Sequence, residues 1–340
     1  MPYIPNFTGA LFEVRVAANE AETRIPSGSL GQPGGYVEAG ETGELARVRL
    51  ILSRKGFDSS AGGAASPILP DGTFCSLPIP DPWSRLRYAE IEGASASLGR
   101  IVEELTERRV RARSFAHLDP DLDPHALPRA RGWRPLFGQA GAAQSHLARQ
   151  GVRRGDVFLF FGWFRRCSRQ NGRFRYVRCA PDLHVLFGWL EVGEVVPVAE
   201  LGPRDLTWAR RHPHFWGERG KGNTLYVAAD SLTVAAVPGE RRLPGAGLFR
   251  RLKGSLCLTA HPGAGPRGVW KLPEWMHIPG GAALLSHHKD PARWTRTSGG
   301  WLLRTVGRGQ EFVLDLDQTS NPAKAAAWLR GLIRAGTASP

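Results

Sequence analysis

The chain has 340 residues, 42% of them hydrophobic, which is enough to bury a sizeable core. Its 45 Lys and Arg residues outnumber 31 Asp and Glu residues, which gives a formal net charge of +14. Such a charge favours a polyanionic partner such as nucleic acid or a nucleotide, although an Arg-rich compositional bias would also raise the net charge. Four cysteines without C-x-x-C spacing argue against a disulfide scaffold or a cysteine zinc site, and no apolar run reaches the ~18 residues of a membrane span.

The N-terminal segment is polar, punctuated by Gly and Pro, and without hydrophobic period. Residues 1–45 are therefore predicted to form a loose extension. The segment also lacks a basic stretch followed by an apolar run, so we predict no signal peptide and expect a cytoplasmic protein with reduced thiols.

The first regular elements are a strand and a helix. The run "RVRLILS" at 47–53 predicts a strand that leads into a long glycine- and proline-rich loop ending at Asp81. A helix is predicted over 95–114, where Leu98, Ile101, Val102 and Leu105 share one helical face. Four prolines then exclude regular structure from 115–135, and "DPDLD" within it lacks the Gly and distal Glu of a calcium loop.

The middle of the chain predicts a helix and several strands. A helix at 141–151 is closed by Gly151. Two strand-like runs then flank Asn171-Gly172, which predicts a hairpin in which paired positions sum to 343, so that Cys167 faces Tyr176. Further strands are predicted at 183–198, 224–234 and "GQEFVLDL", and a last helix at 321–336 begins after Asn321.

The segment from Gly151 to Val198 resembles the PUA-like barrels, including the EVE and ASCH domains. The matching features are Gly155-Asp156, "VFLFFG" at 157–162 and "VLFGWLEV" at 185–192. The resemblance implies an α+β fold, a mixed sheet with a small β-barrel at about 130–280 and peripheral helices. It also implies an aromatic pocket for RNA or a modified base, and the candidate aromatic residues are Trp163, Phe164, Trp189 and Trp216.

A second resemblance covers most of the chain. The set "LSRKGFDSSAGG", "SPILPDGT", "LFGQAGAAQSHL", "GDVFLFFGWF", "HVLFGWL", "WKLPEW" and "RGQEFVLD" resembles the bacterial nucleotide modification associated domain 3 family, from about Val48 to Ile333. It implies a domain over 46–335 that acts alongside DNA base modification, and it brings no established reaction or cofactor.

The loop that follows the first strand carries the predicted active centre. Polar residues after a buried strand commonly lie at a ligand-binding sheet edge, and we predict Lys55 and Asp58 to be catalytic, with Asp58 a general base or nucleophile. Two other roles remain open for Asp58. It could bind magnesium together with Asp71, or it could be a turn residue whose side chain binds the local backbone. The predicted nucleotide or nucleic-acid contacts are Ser53, Arg54, Gly62, Gly63, Trp163, Arg165 and Trp216.

Histidines supply possible acids or bases but no predicted metal site. His212 and His214 alternate as two ligands on a strand would, yet no cysteine or carboxylate lies close to them in sequence, and we predict no metal. His146 and the pair His287-His288 are further candidates for proton transfer.

Three functions fit these patterns. The first is an enzyme that modifies a base in bacterial DNA or a nucleotide, and the second is a non-catalytic reader of modified bases that uses the aromatic barrel. The third, a nuclease, needs carboxylates clustered near a lysine, and Asp58 and Lys55 have no clear partner motif. The sequence favours the enzyme slightly, with DNA or a nucleotide as partner, no membrane and an unknown cofactor.

Overall fold

The computed structural model of the chain describes residues 47–93, 96–234, 236–277, 283–307 and 309–337. These residues belong to one compact unit. The predicted extension at 1–45 lies outside the described residues.

Fourteen strands and three α-helices are described. The strands are β1 (Arg49–Arg54), β2 (Ser66–Ile68), β3 (Ile79–Pro80), β4 (Ala116–His117), β5 (Leu136–Gln139), β6 (Val157–Gln170), β7 (Arg173–Tyr176), β8 (Leu183–Pro197), β9 (Thr224–Ala228), β10 (Ala246–Leu248), β11 (Val269–Leu272), β12 (Trp294–Thr297), β13 (Gly300–Arg304) and β14 (Glu311–Asp315). The helices are α1 (Leu98–Leu105), α2 (Gly141–Arg149) and α3 (Pro322–Thr337). Among the described helices none is long and apolar enough to cross a membrane.

One mixed sheet dominates the fold and confirms the predicted α+β class. Its order is β14-β1-β6-β8-β9-β5, with β2 and β7 also paired to β6 and β10 paired to β8. The strand β1 runs parallel to β6 and antiparallel to β14, and its four central residues are buried, as expected of a strand with neighbours on both sides. A three-stranded sheet (β11-β13-β12) and the pair β3-β4 complete the strands.

The large sheet curls without closing. Its outermost strands, β14 and β5, are joined by a side-chain hydrogen bond from Gln139 Nε2 to Glu311 Oε1, at 2.6 Å, instead of a backbone ladder. Phe137, Phe158 and Tyr226 pack against one another inside the curl, with ring centroids 5.0–5.8 Å apart. No closed barrel is found in the described part of the chain, so the predicted PUA-like barrel is not confirmed.

Two of the predicted helices have a boundary close to where the sequence places it. The helix α2 ends just before Gly151, which has a positive φ of 69°. Asn321 caps α3, since its Oδ1 accepts a hydrogen bond from the Lys324 backbone at 2.8 Å.

The prediction of a helix over 95–114 was wrong in length. The helix α1 ends at Leu105, because Thr106 binds the carbonyl of Val102 through its hydroxyl and accepts from the Val110 backbone. Glu107 and Arg108 then adopt positive φ angles of 53° and 65°, which no helix contains. The predicted apolar face does form, and its four large side chains are buried in a second core cluster with Tyr88 and Phe174.

Candidate functional site

The start of the predicted catalytic loop is buried and paired. Lys55 follows β1, its side chain is 10% exposed, and its Nζ lies 2.9 Å from Glu311 Oε1 and 4.4 Å from the centroid of the Phe137 ring. Glu311 Oε2 and the hydroxyl of Ser53 are buried and have no hydrogen-bond partner among the described residues. Lys55 therefore belongs to a charged cluster between the two outermost strands of the sheet.

Arg54 is held by the backbone. Its guanidinium donates to the carbonyl oxygens of Gly307 and Gly309, the latter at 2.7 Å. Burial lowers the pKa of Arg54 from its ordinary value. These contacts occupy much of the set of guanidinium N–H donors that bidentate binding of a phosphate would need.

Asp58 closes a turn. Its Oδ1 accepts hydrogen bonds from the backbone and hydroxyl of Ser60 at 2.8 and 2.6 Å, and from the Ala61 backbone at 2.7 Å. Burial alone would raise the pKa of Asp58, but these hydrogen bonds lower it below its ordinary range. Gly62 and Gly63 complete the turn with positive φ angles, and a Cβ at Gly62 would lie 2.4 Å from the Phe57 ring.

The predicted aromatic and basic contacts have other partners. The ring of Trp163 is covered by Arg267 at 4.5 Å and that of Trp216 by Arg85 at 3.8 Å. Arg165 donates to the carbonyl of Ala180 at 2.9 Å. Each tryptophan ring therefore has a guanidinium on one face, and neither ring lines the cleft described next.

A cleft opens beside the far end of the same loop. Its lining includes the apolar residues Phe74, Leu98, Leu118, Phe187, Leu248 and Phe249 and the polar residues Ser76, Glu92, Asp119, Asp121, Asp123 and Arg250. Arg250 forms a double hydrogen bond with Asp123, with both distances 3.0 Å, and its side chain is 51% exposed. An apolar pocket with a few convergent polar groups is the usual form of a small-molecule site.

Asp119 lies in the wall of this cleft and also belongs to a buried cluster with His117 and His214. One ring nitrogen from each histidine and one carboxylate oxygen lie within 4.8 Å of one another. Asp119 Oδ2 is 3.8 Å from the Nε2 atoms of both histidines. The side chains of Asp119 and His214 are 4% and 5% exposed, and that of His117 is 14% exposed.

Three parts of the chain bring this cluster together. His117 ends β4, Asp119 follows two residues later, and His214 lies in the 3-10 helix Pro213–Phe215. The strand β5 holds them through Gly138, whose backbone N–H donates to Asp119 Oδ1 at 2.8 Å. Only glycine fits at this place in β5, because a Cβ there would lie 2.3 Å from the His214 ring.

A second layer of polar groups fixes the two rings. His117 Nδ1 lies 2.8 Å from Asp81 Oδ2, which also binds Arg219 at 2.7 Å. His214 Nδ1 lies 2.6 Å from Asn223 Oδ1. Because both partners are acceptors, each Nδ1 carries a hydrogen, and each Nε2 faces Asp119 Oδ2.

Burial and polar contacts together set the charges of His214 and Asp119. Burial lowers the pKa of His214 to about 3, so this ring is neutral at pH 7. Burial alone would raise the pKa of Asp119, but the His212 hydrogen bond and the surrounding imidazoles hold it well below its ordinary range. The cluster thus combines an ionised carboxylate with a neutral imidazole.

Comparison with known families gives one match. The model of nucleotide modification associated domain 3 matches residues 49–315 of the chain. The chain belongs to this family. No curated protein and no solved structure matches it.

The nucleotide modification associated domain holds both candidate centres. Lys55 and Glu311 lie near the two ends of the matched residues, and His117, Asp119 and His214 lie between them. The family thus gives this chain a role associated with nucleotide modification. It does not say which residues carry that role, and the geometry of the domain supplies the candidates.

The candidate site at His117 and Asp119 was not predicted from the sequence. Both fall in a proline-rich segment from which regular structure was excluded, and their partner His214 is 95 positions beyond Asp119 along the chain. One signal was present: His117 and Asp119 share the i, i+2 spacing of His212 and His214, which places two side chains on one side of an extended segment.

Proposed function

We propose that this protein is an enzyme that modifies a base of DNA or of a nucleotide, with the base in the cleft lined by Phe74, Phe187 and Phe249. The observation that carries this proposal is that Asp119 belongs both to the cleft and to the buried histidine cluster. A binding cleft that meets buried titratable groups with displaced pKa values is typical of an active site.

The size of the cleft favours a base over a whole nucleotide. Its volume is about 80 Å³, counted as the space open to the centre of a water molecule. Because one water needs roughly 10–15 Å³ on this measure, the cleft holds several waters, comparable with a single planar ring. Sugar and phosphate then stay outside, where the net charge of +14 favours their approach.

An enzyme accounts for more of the buried chemistry than a reader does. A reader needs stacking surfaces and hydrogen-bond partners for the base, which the cleft alone supplies. It does not need an ionised carboxylate beside two imidazoles that are fixed by Asp81 and Asn223. A reader of modified bases that uses Trp163 and Trp216 is therefore the second candidate function.

The catalytic roles of Lys55 and Asp58 stay predictions. Asp58 is engaged by the turn that it closes, and Lys55 by Glu311. Within the proposal, the loop contributes through its far end instead, where Phe74 and Ser76 line the cleft and Asp81 orients His117.

Mass spectrometry of nucleosides tests the proposal. Total DNA and the nucleotide pool are compared between cells that carry the gene, cells that lack it and cells that carry Asp119→Asn. We expect a nucleoside that depends on the gene and is lost with Asp119→Asn, because that change removes the charge of the cluster at nearly constant shape.

The matched control is Asp230→Asn, which makes the same chemical change on a side chain that is 96% exposed. It is expected to leave the nucleoside in place. Identical nucleosides with and without the gene would contradict the enzyme. If the purified protein then bound modified DNA in preference to plain DNA across a salt series, the reader would replace it.

A further inference from the structure

We infer that His117, Asp119 and His214 bind one divalent transition-metal ion. The inference concerns the cluster itself and does not depend on the proposed function. Its first ground is the donor set, because two imidazoles and one carboxylate are the ligands that zinc and non-haem iron sites in proteins commonly use.

The second ground is that three metal-ligating atoms face one another. The hydrogen bonds that Asp119 accepts from Gly138 and His212 both reach Oδ1. Its Oδ2 faces the two Nε2 atoms at 3.8 Å, which is beyond hydrogen-bond distance. Because both Nδ1 atoms donate outward to Asp81 and Asn223, the Nε2 atoms of His117 and His214 and the Oδ2 atom of Asp119 are left facing one another, in the arrangement that one bound cation would need.

The third ground is the support behind each ligand. Metal-binding histidines almost always donate their other ring N–H to a carboxylate or carbonyl oxygen, which fixes the ring and raises its basicity. His117 does so to Asp81, and His214 does so to Asn223. His212 holds Asp119 from behind, with Nε2 3.1 Å from Oδ1.

Two of the three spacings fit after a small contraction, and all three ligand atoms lie within 4.8 Å of one another. Two ligands at about 2.0–2.1 Å from a tetrahedral metal are roughly 3.4 Å apart, so the 3.8 Å separations need to shorten by a few tenths of an ångström. Three protein ligands leave at least one coordination position open, as in catalytic sites and unlike closed structural ones. Nitrogen-rich donors also favour a transition metal over magnesium or calcium.

Calorimetry on protein freed of metal by a chelator tests the inference. Zn²⁺ and Mn²⁺ are expected to bind at one site per chain, and Mg²⁺ at least about 100-fold more weakly. His117→Gln and His214→Gln each remove one ligand, and Asp81→Ala removes the acceptor that supports His117. We expect each of the three variants to weaken Zn²⁺ binding by about 10- to 100-fold or more.

His261→Gln is the matched control, since it removes an exposed histidine and should leave Zn²⁺ affinity unchanged. Circular dichroism checks that each variant is folded, and if the buried His214→Gln variant unfolds, His117→Gln at the more exposed ligand carries the comparison. Wild-type protein that takes up no Zn²⁺ or Mn²⁺ would overturn the inference. So would a folded His117→Gln variant that binds Zn²⁺ with wild-type affinity.

Discussion

At the residue scale, two carboxylates show how position decides role. Asp58 directs its Oδ1 to its own turn, so that its ionised form is stabilised by local backbone N–H groups. Asp119 receives a single backbone hydrogen bond, from Gly138, and turns its other oxygen to two imidazoles from different segments. In the second arrangement a charged carboxylate oxygen faces other side chains and not its own turn. Such an oxygen is available to interact with a ligand.

Lys55 and Glu311 form the other notable pair at this scale. Glu311 is 1% exposed, and its Oε1 receives both Lys55 Nζ and Gln139 Nε2. Removing one partner of a buried ion pair leaves an uncompensated charge, which costs more than removing both.

We therefore predict that Lys55→Met lowers the free energy of unfolding by roughly 3–5 kcal/mol. The double variant Lys55→Met/Glu311→Gln should lose clearly less, since no buried charge then remains unpaired. Urea unfolding measures both. If Lys55→Met instead keeps its stability and loses the gene-dependent nucleoside, the predicted catalytic role of Lys55 is the correct one.

At the element scale, β5 connects the two polar clusters. Alternate residues of a strand point to opposite faces, so Phe137 and Gln139 face Lys55 and Glu311 while Gly138 faces Asp119 and His214. A change in this strand is therefore expected to reach the histidine cluster directly.

Gly138→Ala is expected to destabilise the protein by roughly 1–3 kcal/mol, because the new methyl group would overlap the His214 ring. Zn²⁺ affinity should fall with it. The same substitution at Gly331 in α3 is the control, since a Cβ there meets nothing and helical Ala is favoured by about 0.5–1 kcal/mol. Equal stability of the two variants would contradict the packing assigned to Gly138.

The elements that the sequence predicts best are those with local signals. The Asn171-Gly172 turn sets the pairing of β6 with β7, and Cys167 does face Tyr176, with the predicted sum of 343 at every pair. By contrast, β5 is four residues long and β4 only two, so neither is long enough for a hydrophobic alternation to stand out from its surroundings. Their positions depend on partners distant in sequence, which local patterns do not specify.

At the scale of the whole molecule, a curled sheet brings distant segments together. Gln139 and Glu311 are 172 positions apart and meet between the outermost strands β5 and β14. The sequence predicts the mixed sheet, because each long strand has its own pattern. It does not predict whether the sheet closes, since closure depends on strand tilt and register around the whole sheet.

The same long-range organisation defines the candidate site. The loop that ends at Asp81, the segment at His117 and Asp119, and the region of His212 and His214 converge only in the folded chain. We therefore infer that this convergence forms a metal site in the wall of the cleft.

Anomalous X-ray diffraction from crystals grown with Mn²⁺ or Zn²⁺ tests this claim most directly. We predict one strong anomalous peak at about 2.0–2.2 Å from His117 Nε2, Asp119 Oδ2 and His214 Nε2. Crystals that bind these ions elsewhere, with no peak between these three side chains, would contradict it.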